Sequence, residues 1–159
     1  MSETLTQLGS YAEEVGTKLT SLHKDESIVE VSEDILKTFV SHLVNDLHVR
    51  HLMTITGLDL GQNLAITYHF SVESDMIHVR TLVPKSKPVA VSIVDIVPGA
   101  ILYEMEVHDM FGIEFAGNPW KDRKLLLPEE WPDDVPPPLL KSTKPEQIRK
   151  RLGLEVAKQ

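Results

Sequence analysis

The sequence predicts an α+β fold: a three- to four-stranded, mainly antiparallel sheet with two N-terminal helices on one face, a later motif helix and an extended proline-rich arm. Three observations predict it. Apolar residues recur at helical spacing before residue 47, side chains alternate between residues 51 and 82 across short polar links, and seven of the ten prolines lie from Pro119 onward. Helices repeat their side-chain directions every 3.6 residues and strands every two, so the first two patterns separate helix from strand. The third divides the chain into a compact α+β unit over residues 1–115 and an arm with a short helix over 116–159.

Each element follows from its residues. Leu5, Leu8, Ala12, Val15 and Leu19 predict a helix from Thr4 to Leu22, weakened by Gly9 and Gly16. The β-branched run Ser27–Val31 predicts a short strand. Ser32 then precedes two acidic residues and the apolar set Ile35, Leu36, Phe39, Val40, Leu43, Val44 and Leu47, which predicts a second helix over Glu33–Leu47. His51–Thr56, Leu64–Ser71 and Met76–Leu82 read as strands joined by Gly57-to-Asn63 and by the Glu73–Ser74–Asp75 turn. Links this short favour an antiparallel meander, with Leu64–Ser71 and Met76–Leu82 forming a hairpin. In these strands Leu64, Ile66, Tyr68 and Phe70 share one face, as do Ile77, Val79 and Thr81. Pro84 and Pro88 break the pattern before an extended Val89–Val94. Pro98 can open a helix over Gly99–Phe111, which Gly112 ends. Thr143-Lys-Pro-Glu146 has capping-box spacing and starts a last short helix ending at Gly153.

Composition excludes several classes of chemistry. The chain has 159 residues, 42% hydrophobic and 25% charged, enough for one packed domain. It has no cysteine, which removes disulfides, thiolate-bound iron–sulfur clusters, cysteine zinc sites and thiol nucleophiles. A net charge of −8 argues against non-specific nucleic-acid binding. No apolar run approaches the roughly 20 residues that cross a bilayer, and MSETLTQLGSYAEE is too acidic and polar for a signal peptide. Any membrane association is therefore expected through partners. Charge is uneven: residues 104–134 hold nine acidic and three basic side chains, and residues 141–159 hold two acidic and six basic. Neither phosphate-binding glycine motif occurs, and no serine has a nucleophile context.

One segment carries a longer pattern. Glu104-x-Glu106-x-x-Asp109-Met110-Phe111-Gly112-Ile113-x-Phe115-x-Gly117-Asn118-Pro119 is followed by Arg123 and by Leu125-Leu126-Leu127-Pro128. This resembles the signature of the 30-kilodalton subunit family of NADH:quinone oxidoreductase (respiratory complex I), which also supplies a subunit or domain to energy-converting membrane-bound [NiFe]-hydrogenases and related ferredoxin-driven complexes. The Leu-Pro-Glu-Glu-Trp-Pro run looks closer to the hydrogenase-type branch. Met105 stands where the family has arginine, Arg123 is flanked by Asp122 and Lys124 where paired arginines are usual, and Pro137-Pro138-Leu139-Leu140-Lys141-Ser142 replaces the usual close.

The resemblance implies a structural subunit without cofactor, metal or active site of its own, within an ion-translocating oxidoreductase. It implies a location on the cytoplasmic side of the membrane, reached only indirectly through the complex. The implied partners are the large [NiFe]-hydrogenase-like (49-kilodalton-type) subunit and a neighbouring iron–sulfur subunit. The expected interface residues are Glu104, Glu106, Asp109, Phe111, Gly112, Phe115, Pro119, Trp120, Arg123, Leu126, Pro128 and Trp131. Helical spacing puts Glu106 with Asp109 and Glu104 with His108. The rival readings are a stand-alone metal-dependent enzyme using Glu104, Glu106, His108 and Asp109, or a free regulatory binding module. His42, His48 and His51 are read as structural or surface residues. Trp120, Trp131 and Leu125–Leu127, on an arm with little core of its own, are expected to bury against the large subunit.

Overall fold

In the computed structural model, residues 2–132 and 134–153 are described. The first helix, α1 (Glu3–Glu14), buries Leu5, Leu8 and Ala12 but stops well short of Leu22. Gly16 takes a left-handed φ of +79°, a conformation that ends a helix at little cost to glycine. The chain then turns into β1 (Leu19–His23), which pairs antiparallel with β2 (Glu26–Glu30). Helical spacing through Leu19 was accidental, because pairing with β2 fixes this stretch instead.

The second helix begins as expected. Ser32 occupies the N-cap of α2 (Glu33–Ser41), and the helix continues through a π-turn over His42–Asp46, where Leu47 N–H reaches the His42 carbonyl at 3.1 Å. Its apolar face buries Leu36, Phe39, Val40, Leu43 and Val44. Tyr11 of α1 stacks on His42 at 3.8 Å and lies 5.5 Å from Phe39, which joins the two helices.

Next comes the meander: β3 (His51–Asp59), β4 (Asn63–Val72) and β5 (Asp75–Pro84). β4 and β5 pair antiparallel around Glu73, with Phe70 opposite Ile77 and Tyr68 opposite Val79. The sheet has five strands in the order β1-β2-β5-β4-β3, one more than the upper expectation because Leu19–His23 adds an edge. All its pairs are antiparallel except β2 with β5, which needs the long crossover through α2, β3 and β4. β3 also runs past Thr56 to Asp59, so Gly57 lies inside a strand and not in a loop. A β-carbon there would stand 2.4 Å from Cδ2 of Phe111, so only glycine lets the ring lie flat on the strand.

One face of the sheet makes the core. Leu64, Ile66, Tyr68, Phe70, Ile77 and Val79 are fully buried, and the buried residues of α1 and α2 join the same cluster. Complete burial of side chains of this size contributes about 1.5–3 kcal/mol each. The opposite face carries a polar band of Thr56, Thr67, His69, His78 and Arg80, with Leu58, Ala65 and Leu82 at one end. Beyond β5 the chain forms β6 (Val89–Val91), α3 (Ala100–Phe111) and β7 (Glu114–Ala116), with β6 and β7 paired in parallel. α3 packs on β3 through Phe111 and ends at Gly112, whose φ is +73°. The last helix, α4 (Pro145–Arg151), is capped one residue later than Thr143 implies: Lys144 is its N-cap, and its N–H donates to Gln147 Oε1 at 3.2 Å.

Candidate functional site

α3 passes beneath the segment that the sequence singles out, and its acidic residues decide how that segment sits. Glu104 is wholly buried. It accepts hydrogen bonds from Ile93 N–H at 2.9 Å, Ser92 Oγ at 2.8 Å and Asn118 Nδ2 at 2.9 Å. Burial raises its pKa, and the three bonds, which favour the carboxylate, oppose that rise. Asn118 also donates to the Ile101 carbonyl and accepts from Trp120 N–H, so the chain leaving β7 is bonded to α3 at its first step.

Asp109 makes a second fastening. Its Oδ2 accepts from the backbone N–H groups of Leu125, Leu126 and Leu127 at 2.9, 2.7 and 3.1 Å, while its buried Oδ1 has no partner among the described residues. Successive amides aimed at one carboxylate form an anion-binding turn. A third fastening lies at the far end of β3. Buried Asp59 accepts from Lys85 Nζ at 2.6 Å, Gly61 N–H at 2.8 Å and Lys141 N–H at 2.9 Å. The Lys85 bond is the main cause of an Asp59 pKa held down at about 2. Between these points Leu139 N–H donates to the Met110 carbonyl at 3.0 Å, and Pro137 crosses Gly112.

The residues expected at a partner surface therefore separate into two groups. Glu104, Asp109, Phe111 and Phe115 are buried within the chain itself. They bond or pack against its own segments. Glu106 and Asp109 are three residues apart, but the solvent boundary runs between them: Glu106 is exposed and Asp109 is buried. Gly112 is half-buried under Pro137. Pro119, Trp120, Arg123, Leu126 and Pro128 are exposed, and the Arg123 guanidinium lies 5.6 Å from the Trp120 ring centre. Trp131 is half-buried and folds back on the arm, donating from Nε1 to the Val135 carbonyl at 3.0 Å.

The rival metal cluster does not assemble. His108 Nδ1 donates to the Ile113 carbonyl at 2.9 Å, and Glu104, Glu106 and Asp109 face three different environments. His42, His48 and His51 do not converge either. His42 bonds Asp46, His51 bonds Ser71, and His48 takes a positive φ in the turn between them. Sequence reasoning passed over Asp59 and Ser92. For Asp59 a signal existed, since an aspartate two residues before a glycine favours a local side-chain turn. For Ser92 there was none.

Residues 29–148 match the sequence profile described as "Respiratory-chain NADH dehydrogenase, 30 Kd subunit". The chain belongs to this family. Among relatives of the 30 Kd subunit, the C subunit of NADH-quinone oxidoreductase from Acidothermus cellulolyticus is 31% identical over 121 residues, covering 71% of this chain and 62% of that protein. The C/D subunit of NADH-quinone oxidoreductase from Phocaeicola vulgatus is 32% identical over 108 residues, covering 65% of this chain and 20% of its own length. Formate hydrogenlyase subunit 5 of Escherichia coli is 38% identical over 81 residues, which are 49% of this chain and 14% of that one. The chain thus spans less than two thirds of each of these relatives. A chain in the structure of the membrane-bound sulfane sulfur reductase, an archaeal respiratory membrane complex, superposes with a TM-score of 0.79 over 99% of this chain and 94% of that one. Its identity of 22% establishes the fold alone. These relatives place the 30 Kd family in both complex I-like and hydrogenase-type complexes. Among the described residues no helix is long and apolar enough to cross a membrane.

Proposed function

We propose that this 30 Kd-family chain is a non-catalytic structural and assembly subunit in the peripheral, cytoplasmic arm of a membrane-bound, ion-translocating oxidoreductase. Its proline-rich arm grips the large [NiFe]-hydrogenase-like subunit, with the iron–sulfur subunit nearby, and the complex alone connects it to the membrane. Residues 1–115 serve as the body and 116–159 as the gripping segment.

A single observation carries this reading. The Asp109 carboxylate fixes the backbone of Leu125–Leu127 while Leu125 and Leu126 remain 40% and 56% exposed, and Trp120 is 39% exposed. A buried anion that orders an apolar loop in solvent gains nothing for the isolated chain's core. It lowers the entropy that a partner must remove on binding. An exposed tryptophan is a usual anchor of a protein interface, and apolar side chains such as Leu125 and Leu126 help to exclude water from it. The double letter in the name of the Phocaeicola relative, C/D, supports the choice of neighbour, since one polypeptide there is named for two subunits.

Leu126→Asp tests the proposal in the native complex. The side chain is exposed, so thermal unfolding of the variant chain should match wild type within a few degrees, while co-purification of the large subunit should fall at least tenfold. Undiminished co-purification would overturn the assignment of this surface.

A further inference from the structure

On the polar face of the sheet, four strands each contribute one residue to a continuous hydrogen-bonded row. Thr56 Oγ1 of β3 meets His69 Nε2 of β4 at 2.8 Å, His69 Nδ1 meets His78 Nδ1 of β5 at 2.8 Å, and His78 Nε2 meets Glu26 Oε1 of β2 at 2.8 Å. His78 is buried and His69 half-buried, which keeps water from replacing these contacts freely.

The row has only one consistent arrangement when both imidazoles are neutral. A carboxylate can only accept, so His78 Nε2 carries a proton and its Nδ1 is bare. His69 Nδ1 must then be the donor in the imidazole pair, leaving His69 Nε2 bare to accept from the Thr56 hydroxyl. Every group thus donates toward Glu26.

We propose that Thr56, His69, His78 and Glu26 form a binding site for a single proton, held by the two imidazoles together, and that its arrival reverses the outer half of the row. The added proton enters at His69 Nε2, and the proton on His69 Nδ1 passes to His78 Nδ1. His78 becomes an imidazolium that keeps its Nε2–H on Glu26, His69 stays neutral in its other tautomer, and the Thr56 hydroxyl turns to accept. One proton is taken up and every contact survives. A second proton has no place, because two N–H groups would then face each other across 2.8 Å.

The surroundings suit this arrangement. His69 is pushed toward the neutral form, first by desolvation and then by the neighbouring charges of His78 and Arg80, against a smaller opposite pull from Glu26. The other charged and titratable groups placed on this face are Glu30 of β2, in register with Arg80, His23 of β1, in register with Glu26, and His51 of β3, which bonds Ser71. Arg80 is turned toward Thr67 Oγ1 at 3.4 Å. The buried apolar residues of the helices join the cluster on the opposite face, and one helical charge, Glu106 of α3, lines a cleft with Thr56 at the β3 edge. The row's hydrogen bonds do not involve the arm, so it is tested without the proposed partner.

Long-range nitrogen–proton correlation spectra of the full chain labelled with 15N-histidine, recorded from pH 8.5 to 5, test the site directly. At pH 8.5 His69 should carry its proton on Nδ1 and His78 on Nε2. On acidification the two nitrogens of His69 should exchange character while the ring stays neutral, and His78 should become doubly protonated. Glu26→Gln removes the anion beside His78 and should weaken proton uptake by the pair roughly tenfold. An Nε2–H tautomer of His69 at pH 8.5, separate uptake of one proton by each ring, or a midpoint unmoved by Glu26→Gln would overturn the proposal.

Discussion

Asp109→Ala removes the acceptor for three consecutive amides, and its cost can be worked from the contacts. A hydrogen bond to a charged group contributes about 1.5–3 kcal/mol net, but three amides share one oxygen here, so the sum is far from additive. The exposed loop lets the freed amides regain water, which reduces the loss. A net local loss of about 3 kcal/mol remains, equivalent to roughly 100-fold in the opening equilibrium of the loop. Hydrogen exchange of the Leu125, Leu126 and Leu127 amides should therefore quicken about 100-fold, with the amides of β4 and β5 changing much less. Asp109→Asn keeps a neutral carbonyl oxygen in the same place, and charge-assisted bonds are about twice as strong as neutral ones. That variant should lose nearer tenfold. Unchanged exchange in the three amides would refute the cradle. An equal change in β4 and β5 would show instead that Asp109 supports the whole fold.

Two further outcomes follow from other buried contacts. Gly57→Ala places a β-carbon 2.4–2.6 Å from the Phe111 ring and should lower stability by about 1–3 kcal/mol in chemical unfolding, a cost that Phe111→Ala in the same chain should largely remove; a single variant as stable as wild type would contradict the packing. Asp59 concerns acid stability: its folded pKa of about 2 lies below that of an unfolded aspartate, so its contribution is complete above the ordinary carboxylate range and is lost as pH falls toward 2. Asp59→Asn should thus show a shallower acid loss than wild type between about pH 4 and 2 in urea titrations, and parallel slopes would exclude the Asp59–Lys85–Lys141 junction as the cause. Glu33 and Glu104 act in the opposite sense, because burial raises their pKa, and both variant and wild type contain them.

What the sequence determined by itself was the class of fold, the family and the local elements whose pattern repeats over many residues. Leu64, Ile66, Tyr68 and Phe70 alternate without exception, so β4 and its hairpin with β5 were legible, as was the apolar face of α2. The Glu104–Pro119 motif was legible as a family mark for the same reason, since its spacing is fixed along the chain. The fifth strand was not legible. Leu19–His23 has helical spacing in sequence, and only pairing with β2, together with the left-handed Gly16, makes it a strand. The destination of each carboxylate was also decided in three dimensions. Glu104 and Glu106 read alike in sequence, yet one is sealed against Ile93 and Asn118 while the other faces solvent. The same holds for the histidine row, whose members lie up to 52 positions apart and meet only because β2 inserts beside β5. Periodicity reports which side of an element is apolar. Hydrogen-bond partners depend on which elements become neighbours, and that is set by how the sheet closes.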